Sequence, residues 1–219
     1  MGYVPLFMDM EGKRWLIAGG GAVAARKARC LLPCGAVICV VAPDMDPGLK
    51  ALSGTGEQEG AVGCLTLKQR CFEDADLKDV DFVIAATGEA ALNSRISSMC
   101  RGAGIPVNVV DVKEEGSFLF PSIVRDGPVT VGISTEGMSP SIAIYLKARI
   151  QSVLPEGLGA FTRQLGILRA RVKERFPDSP DIRSGILREL ARAGLGNGCH
   201  LTQKMADTII EGKQEQENE

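Results

Sequence analysis

The sequence predicts an α/β protein: a parallel sheet covered on both faces by helices, then a β-hairpin, then an all-helical last third. Three observations carry this prediction. Short apolar runs alternate with segments of helical spacing from residue 14 to residue 110, and strands without in-out alternation belong to sheets buried on both faces. A turn signal, Arg125-Asp126-Gly127-Pro128, then separates two strand-like runs. Beyond it, Ser139-Pro140 and Ser179-Pro180 each set a capping residue before a proline, which is how helices begin.

Residues 14–18 form a buried strand stopped by Gly19, and residues 22–32 carry helical spacing until Pro33 and Gly35 close it. Residues 37–42 make a second apolar strand, ended by Pro43. The stretch 48–63 is rich in turn formers and gives no clear element; a third strand follows at 64–67. Residues 81–86 are a buried strand, 89–101 a helix ended by Gly102, and 105–110 a further strand. The runs 117–124 and 129–134 are the expected hairpin strands. Helices are expected at 140–154, 157–176, 179–193 and 202–211, the last leading into a charged, Gln-rich end. The expected division is 1–113, 114–153 and 154–219.

Composition narrows the function. With 25 Lys+Arg against 27 Asp+Glu the net charge is −2, so no global positive field attracts nucleic acid or an anionic membrane, and neither is expected as a partner. No run approaches the ~20 apolar residues that span a bilayer, and residues 1–5 lack the pattern of a signal peptide, so a cytoplasmic protein is expected. Seven cysteines are scattered without a C-x-x-C pair, which argues against a disulfide framework or a thiolate metal site. His200 is the sole histidine, and no acid-base constellation surrounds it in sequence, so no metal site is expected.

The chemistry-bearing motif is Gly19-Gly20-Gly21-Ala22-Val23-Ala24, a G-x-G-x-x-A run directly after the first strand and opening the first helix. Gly19 permits the tight turn, Gly21 lets a pyrophosphate approach the backbone, and Ala24 lets helix and strand pack closely. A Rossmann-type parallel sheet that binds a dinucleotide follows from this placement. Asp44 stands about 20 residues on, where an acidic side chain holds the ribose hydroxyls, and no arginine replaces it, so NAD is expected over NADP. Asp111 ends the strand 105–110, where side chains line the ligand crevice, and a carboxylate there can take a proton from a substrate carbon; a solvated turn Asp is the plain alternative. Thr87 and Asn93 follow the fourth strand and divide between cofactor contact and turn hydrogen bonding. From residue 139 to 175 there are seven basic residues, Lys147, Arg149, Arg163, Arg169, Arg171, Lys173 and Arg175, and two acidic ones, Glu156 and Glu174, a local charge of 7 − 2 = +5. That region suits an anionic ligand or a solvated basic face.

The run 19–29, Gly-Gly-Gly-Ala-Val-Ala-Ala-Arg-Lys-Ala-Arg, resembles the precorrin-2 dehydrogenase/sirohydrochlorin ferrochelatase family, the N-terminal module of siroheme synthase. The resemblance continues through Ala85-Ala86-Thr87 with Asn93, Asn108-Val109-Val110-Asp111, Ser117-Phe118 with Pro121-Ser122, and Gly137-Met138-Ser139-Pro140-Ser141, and on into Leu154-Pro155 and Leu168-Arg169. It implies an NAD-binding Rossmann domain, a hairpin-and-helix dimerisation segment and a C-terminal helical domain. It also implies a homodimer that oxidises precorrin-2 to sirohydrochlorin with NAD, in some members followed by insertion of ferrous iron to give siroheme; cobaltous ion is the alternative metal.

By the same resemblance Asp111 is the catalytic residue. Ala22, Val23, Pro43, Asp44, Thr87 and Asn108 join Gly19 and Gly21 in holding NAD. Ser117, Ser139, Lys147 and Arg149 hold a tetrapyrrole bearing eight carboxylates. Two other readings stay open: a non-enzymatic NAD-sensing regulatory domain, and a chelatase without dehydrogenase activity.

Overall fold

The computed structural model describes residues 2–53 and 63–215, so residues 54–62 of the unassigned turn-rich stretch and the tail from 216 lie outside the described residues. The chain divides into two compact units, residues 1–120 with 136–138, and residues 121–135 with 139–219.

In the first unit a five-stranded parallel sheet runs in the order β3-β2-β1-β4-β5. Its strands are β1 (Arg14–Ala18), β2 (Val37–Val41), β3 (Cys64–Lys68), β4 (Phe82–Ala85) and β5 (Val107–Val109). Helix α1 (Ala22–Leu31) links β1 to β2, α2 (Pro47–Ser53) follows β2, and α3 (Ala90–Gly102) links β4 to β5. The chain moves outward from β1 to β3 and then crosses back to β4, so the order reverses between β1 and β4. That switch point is where ligands bind in such sheets, at the carboxyl ends of the strands. The buried runs expected of a doubly covered sheet are present: Leu16, Ile17, Ala18, Val40, Val83, Ile84 and Ala85 are at most 1% exposed.

Elements match the sequence closely where the pattern is strong. β1 has the expected bounds, and Gly35 closes the α1 region with φ +79 after a 3-10 turn over Leu32–Cys34. The short helix α2 lies in the turn-rich stretch whose pattern shows no clear element, and only Leu49 in it is buried. β3 at the sheet edge alternates between exposed and half-buried residues, as a strand with one open flank does.

Beside that edge, Asp76 anchors a short 3-10 turn, Asp74–Leu77. Its side chain is 2% exposed and receives Arg70 through two nitrogens, at 2.8 and 2.5 Å, with Lys68 at 3.4 Å. The Arg70 hydrogen bonds hold its carboxyl down at about 2, below the ordinary 3.8. A depressed folded-state value means stabilisation that is complete above the unfolded value and fades as pH falls from about 4 towards 2. Asp76→Asn is therefore expected to destabilise the protein by about 1–2 kcal/mol at neutral pH. In urea unfolding series the gap to the unaltered protein should narrow steadily below pH 4.

In the second unit β6 (Ser122–Asp126) pairs antiparallel with β7 (Val129–Ile133), and four helices follow: α4 (Pro140–Val153), α5 (Leu158–Arg175), α6 (Pro180–Gly196) and α7 (Gln203–Glu215). The hairpin turns at Gly127, with φ +53. The expected first hairpin strand began at residue 117, but β6 starts at Ser122. Residues 117–121 pack instead: Phe118 meets Trp15 and Phe82 edge-on at 6.1 Å, and Trp15 stacks on Phe82 at 4.6 Å. Aromatic burial in the first unit has outweighed strand pairing there.

The hairpin, α4 and the helical tail form one compact unit. The reason is local. The Gly159 amide donates to Asp126 Oδ2 at 2.8 Å, and a Cβ on Gly159 would lie 2.5 Å from Asp126 Oδ1, so the start of α5 sits on the hairpin turn. Phe161, Leu168, Val172, Ile186, Leu190 and Ile210 fill the core between α5, α6 and α7.

Candidate dinucleotide and acid-base site

The glycine turn is built from two close approaches and one open position. Gly19 has φ +120, and a Cβ there would lie 2.1 Å from the Ala86 carbonyl oxygen. One on Gly20 would lie 2.0 Å from the Asp44 carbonyl oxygen. These contacts lock the turn to the chain leaving β4 and to the chain leaving β2, helped by hydrogen bonds from the Asp46 amide to Gly20 O at 2.7 Å and from the Ala86 amide to Ala18 O at 2.7 Å. Gly21 differs: it is exposed, and a Cβ on it would meet nothing within 4 Å.

Gly21 is the N-cap of α1 and offers no side-chain cap. The first amides of the helix, at Ala22 and Val23, therefore point without intrahelical acceptors into the space that Gly21 leaves open. Together with the positive end of the helix dipole this is a fit for a pyrophosphate. Pro43 and Asp44 are exposed beside the turn, and no described residue hydrogen-bonds the Asp44 carboxylate. It is available to ribose hydroxyls, so the residues present fit NAD.

Thr87 is committed to its own loop. Its hydroxyl donates to Asn93 Oδ1 at 2.7 Å, and Asn93, 8% exposed, holds the Thr87 amide at 3.1 Å and its carbonyl at 3.1 Å. The pair fixes the loop beside Gly19, and of the two roles the sequence left open the turn hydrogen bond is the one formed.

Asp111 follows β5 with φ +65, in the left-handed region that Asp tolerates better than most residues. It is exposed at the carboxyl edge of the sheet. Asn108, expected to contact the cofactor, is only 7% exposed. Its side-chain oxygen accepts from Lys27 Nζ at 2.6 Å and its amide donates to the Phe118 carbonyl at 3.1 Å. The side chain is tied internally, because the middle position of the three-residue strand turns it towards α1. Ser117 is tied internally as well. Its hydroxyl accepts from the Val107 amide at 2.8 Å, at the amino end of β5, so it stands at the opposite end of that strand from Asp111.

Lys27 is the residue that sequence reasoning missed. It is 7% exposed, and its ammonium lies 4.5 Å from the centroid of the Phe120 ring. Burial pulls its pKa down from 10.5 to about 8; Arg26 lowers it further, while Cys30 and Asp111 raise it. A signal was present: Ala24, Lys27, Ala28 and Leu31 have the i, i+3, i+4, i+7 spacing of a buried stripe, and a lysine on such a stripe is an anomaly.

The residues expected to meet an anion, Ser139, Lys147 and Arg149, lie in the second unit. The Ser139 hydroxyl accepts from the Ile142 amide at 3.3 Å as the N-cap of α4, and Lys147 and Arg149 lie along the same helix, half-buried and exposed respectively. The basic cluster is smaller than its residue count. Arg171 pairs with Asp207 at 2.6 Å, and Arg163 packs on Gly127. Among the described residues no three of His, Cys, Asp and Glu come together as a metal site, and no helix is long and apolar enough to cross a membrane.

A switch-point crevice, a glycine turn with one open position and a free acidic residue at the end of β2 define a dinucleotide-binding domain of the Rossmann type. Residues 6–122 match the model of a family described as putative NAD(P)-binding, and the chain belongs to that family. It is 38% identical over 215 residues to siroheme synthase 1 of Aeromonas salmonicida, covering 96% of this chain and 44% of that one. With siroheme synthase of Nitrosospira multiformis it shares 40% identity over 176 residues, covering 80% and 37%. The chain thus spans less than half the length of these relatives. Its fold is similar to that of SirC, precorrin-2 dehydrogenase, with a TM-score of 0.69 at 22% identity, covering 97% of this chain and all of that one.

Proposed function

We propose that this protein oxidises precorrin-2 to sirohydrochlorin with NAD, as a step of siroheme formation. The observation that carries the reading is Asp111, an exposed carboxylate beyond β5 on the same sheet edge as the open glycine turn. It stands in a chain similar to siroheme synthases and to a precorrin-2 dehydrogenase.

In this reading the α1 amides and Gly21 hold the pyrophosphate and Asp44 holds a ribose. NAD supplies an acceptor for the two electrons that leave the macrocycle as hydride. Asp111 takes the proton from the neighbouring carbon, so two hydrogens leave together and a new double bond extends the conjugation of the ring. The work of the chain is position and one base. Ser139, Lys147 and Arg149 are the proposed partners of the substrate carboxylates.

Ferrous iron, where inserted afterwards, is cargo that the four pyrrole nitrogens bind. Asp111 is then the acceptor for the protons those nitrogens release. The test is anaerobic incubation of the protein with precorrin-2 and NAD. NADH and the sirohydrochlorin spectrum are expected to grow in equal amounts, and ferrous or cobaltous ion is then added to read chelation. NAD binding without NADH would favour a sensor, and metal insertion without NADH a chelatase.

A homodimer is part of the proposal. Helix α4 buries none of its residues, and Ile142, Tyr145 and Val153, which share one side of it, are 51–70% exposed, an apolar face larger than single exposed side chains account for. Tyr145→Lys, in the middle of that side, is expected to shift the protein from dimer to monomer in sedimentation runs. A monomeric unaltered protein would overturn this part.

A further inference from the structure

We propose that Lys27 is a positioning residue for Asp111: its ammonium, hydrogen-bonded to Asn108 and seated on Phe120, is the fixed positive charge behind the catalytic carboxylate. The inference rests on the reading of Asp111 above and extends it to a residue that does not itself reach the substrate.

Lys27 is oddly placed for a purely structural group. Among the described residues no carboxylate lies within ion-pair distance of it, and its partners are one amide oxygen and one ring face. A buried ammonium so poorly compensated opposes folding, and an apolar side chain of similar length would fill the same path between α1 and Phe120 at lower cost.

What the charge does provide is a rigid link to β5. Asn108 is gripped from both sides, by Lys27 and by the Phe118 carbonyl, and Asp111 leaves the same strand three residues later in a left-handed conformation. The strand thus ties the ammonium to the carboxylate through Asn108, and the nearby Asp111 charge favours the protonated lysine. The other charged or titratable groups that act on Lys27 are Arg26 and Cys30, both on α1.

Two measurements on the full chain test this. The first needs no substrate. Lysines labelled at Cε are titrated by NMR with NAD present; Lys27 is expected to titrate near pH 8, and Asp111→Asn to move that midpoint downward, since the carboxylate that raises it is gone. An unmoved midpoint overturns the proposal.

The second is kinetic. Lys27→Met is expected to lower kcat for NADH formation about tenfold or more, while its melting temperature stays equal or rises and its NAD affinity stays unchanged. The unaltered protein is expected to lose rate as pH rises past about 8, where Lys27 gives up its proton, and Lys27→Arg, which keeps the charge, to recover part of the rate without that loss. A Lys27→Met protein that is less stable and fully active per folded molecule would make the lysine merely structural. Should the unaltered protein form no NADH, the proposed reaction fails, while the NMR titration still decides whether Lys27 and Asp111 are coupled.

Discussion

Asp111→Asn is expected to fold and bind NAD like the unaltered protein and to lose NADH formation from precorrin-2 by about 10²–10⁴-fold, the usual contribution of a positioned general base. Asn keeps the shape of the side chain and, like Asp, accepts the left-handed backbone found at this position, φ +65. The residue is exposed, so the substitution buries no unpaired group. Loss of rate with binding intact is therefore a chemical loss rather than a structural one. The measurement is kcat for NADH formation beside an NAD titration of the same sample. An Asn variant that turns over at the original rate would remove Asp111 from the mechanism.

The glycine turn yields the second large effect, and it separates positions that look equivalent in sequence. Gly19→Ala places a Cβ 2.1 Å from the Ala86 oxygen and 2.9 Å from the Thr87 nitrogen, with φ at +120. Those neighbours are backbone and cannot step aside. A loss of about 3 kcal/mol or more is expected, with a lower melting temperature. Gly21→Ala has φ −82 and open space around the added carbon, so stability should change by less than about 0.5 kcal/mol. The same carbon would stand where the pyrophosphate approaches the α1 amides, and NAD affinity is expected to fall about tenfold or more. Thermal melts and NAD titrations on both variants check the contrast. A Gly21→Ala protein of unchanged NAD affinity would place the cofactor elsewhere.

How much of this was legible in the sequence depends on how local the cause was. β1, α1 and the glycine turn could be read because continuous burial, helical spacing and punctuating glycines act within a few residues. Asp44 and Asp111 could be read because strand ends in a parallel sheet share one edge. The run 117–121 has the pattern of a strand because Phe118 and Phe120 look the same in sequence whether they pair in a sheet or pack under α1. Only the three-dimensional meeting with Trp15 and Phe82 decides between those outcomes.

Asn108 and Ser117 were read from a motif, and a motif does not say which way a side chain turns: one faces α1 and the other binds Val107 at the far end of β5. Lys27 was visible as a charge on an apolar stripe, but its partner lies 81 residues away and no spacing rule reaches that far. The joining of the hairpin to α5 through Asp126 and Gly159 is likewise a contact across 33 residues, invisible to periodicity.

The central claim is that one crevice passes hydride to NAD while Asp111 takes the neighbouring proton. It is tested most directly with precorrin-2 carrying deuterium at the carbon that is oxidised, incubated with the protein and NAD. One deuterium in NADH for each sirohydrochlorin formed is the expected result, with that transfer slowed by Asp111→Asn in step with its kcat. Sirohydrochlorin appearing with all of the label in water, or at the same rate without NAD, would contradict it.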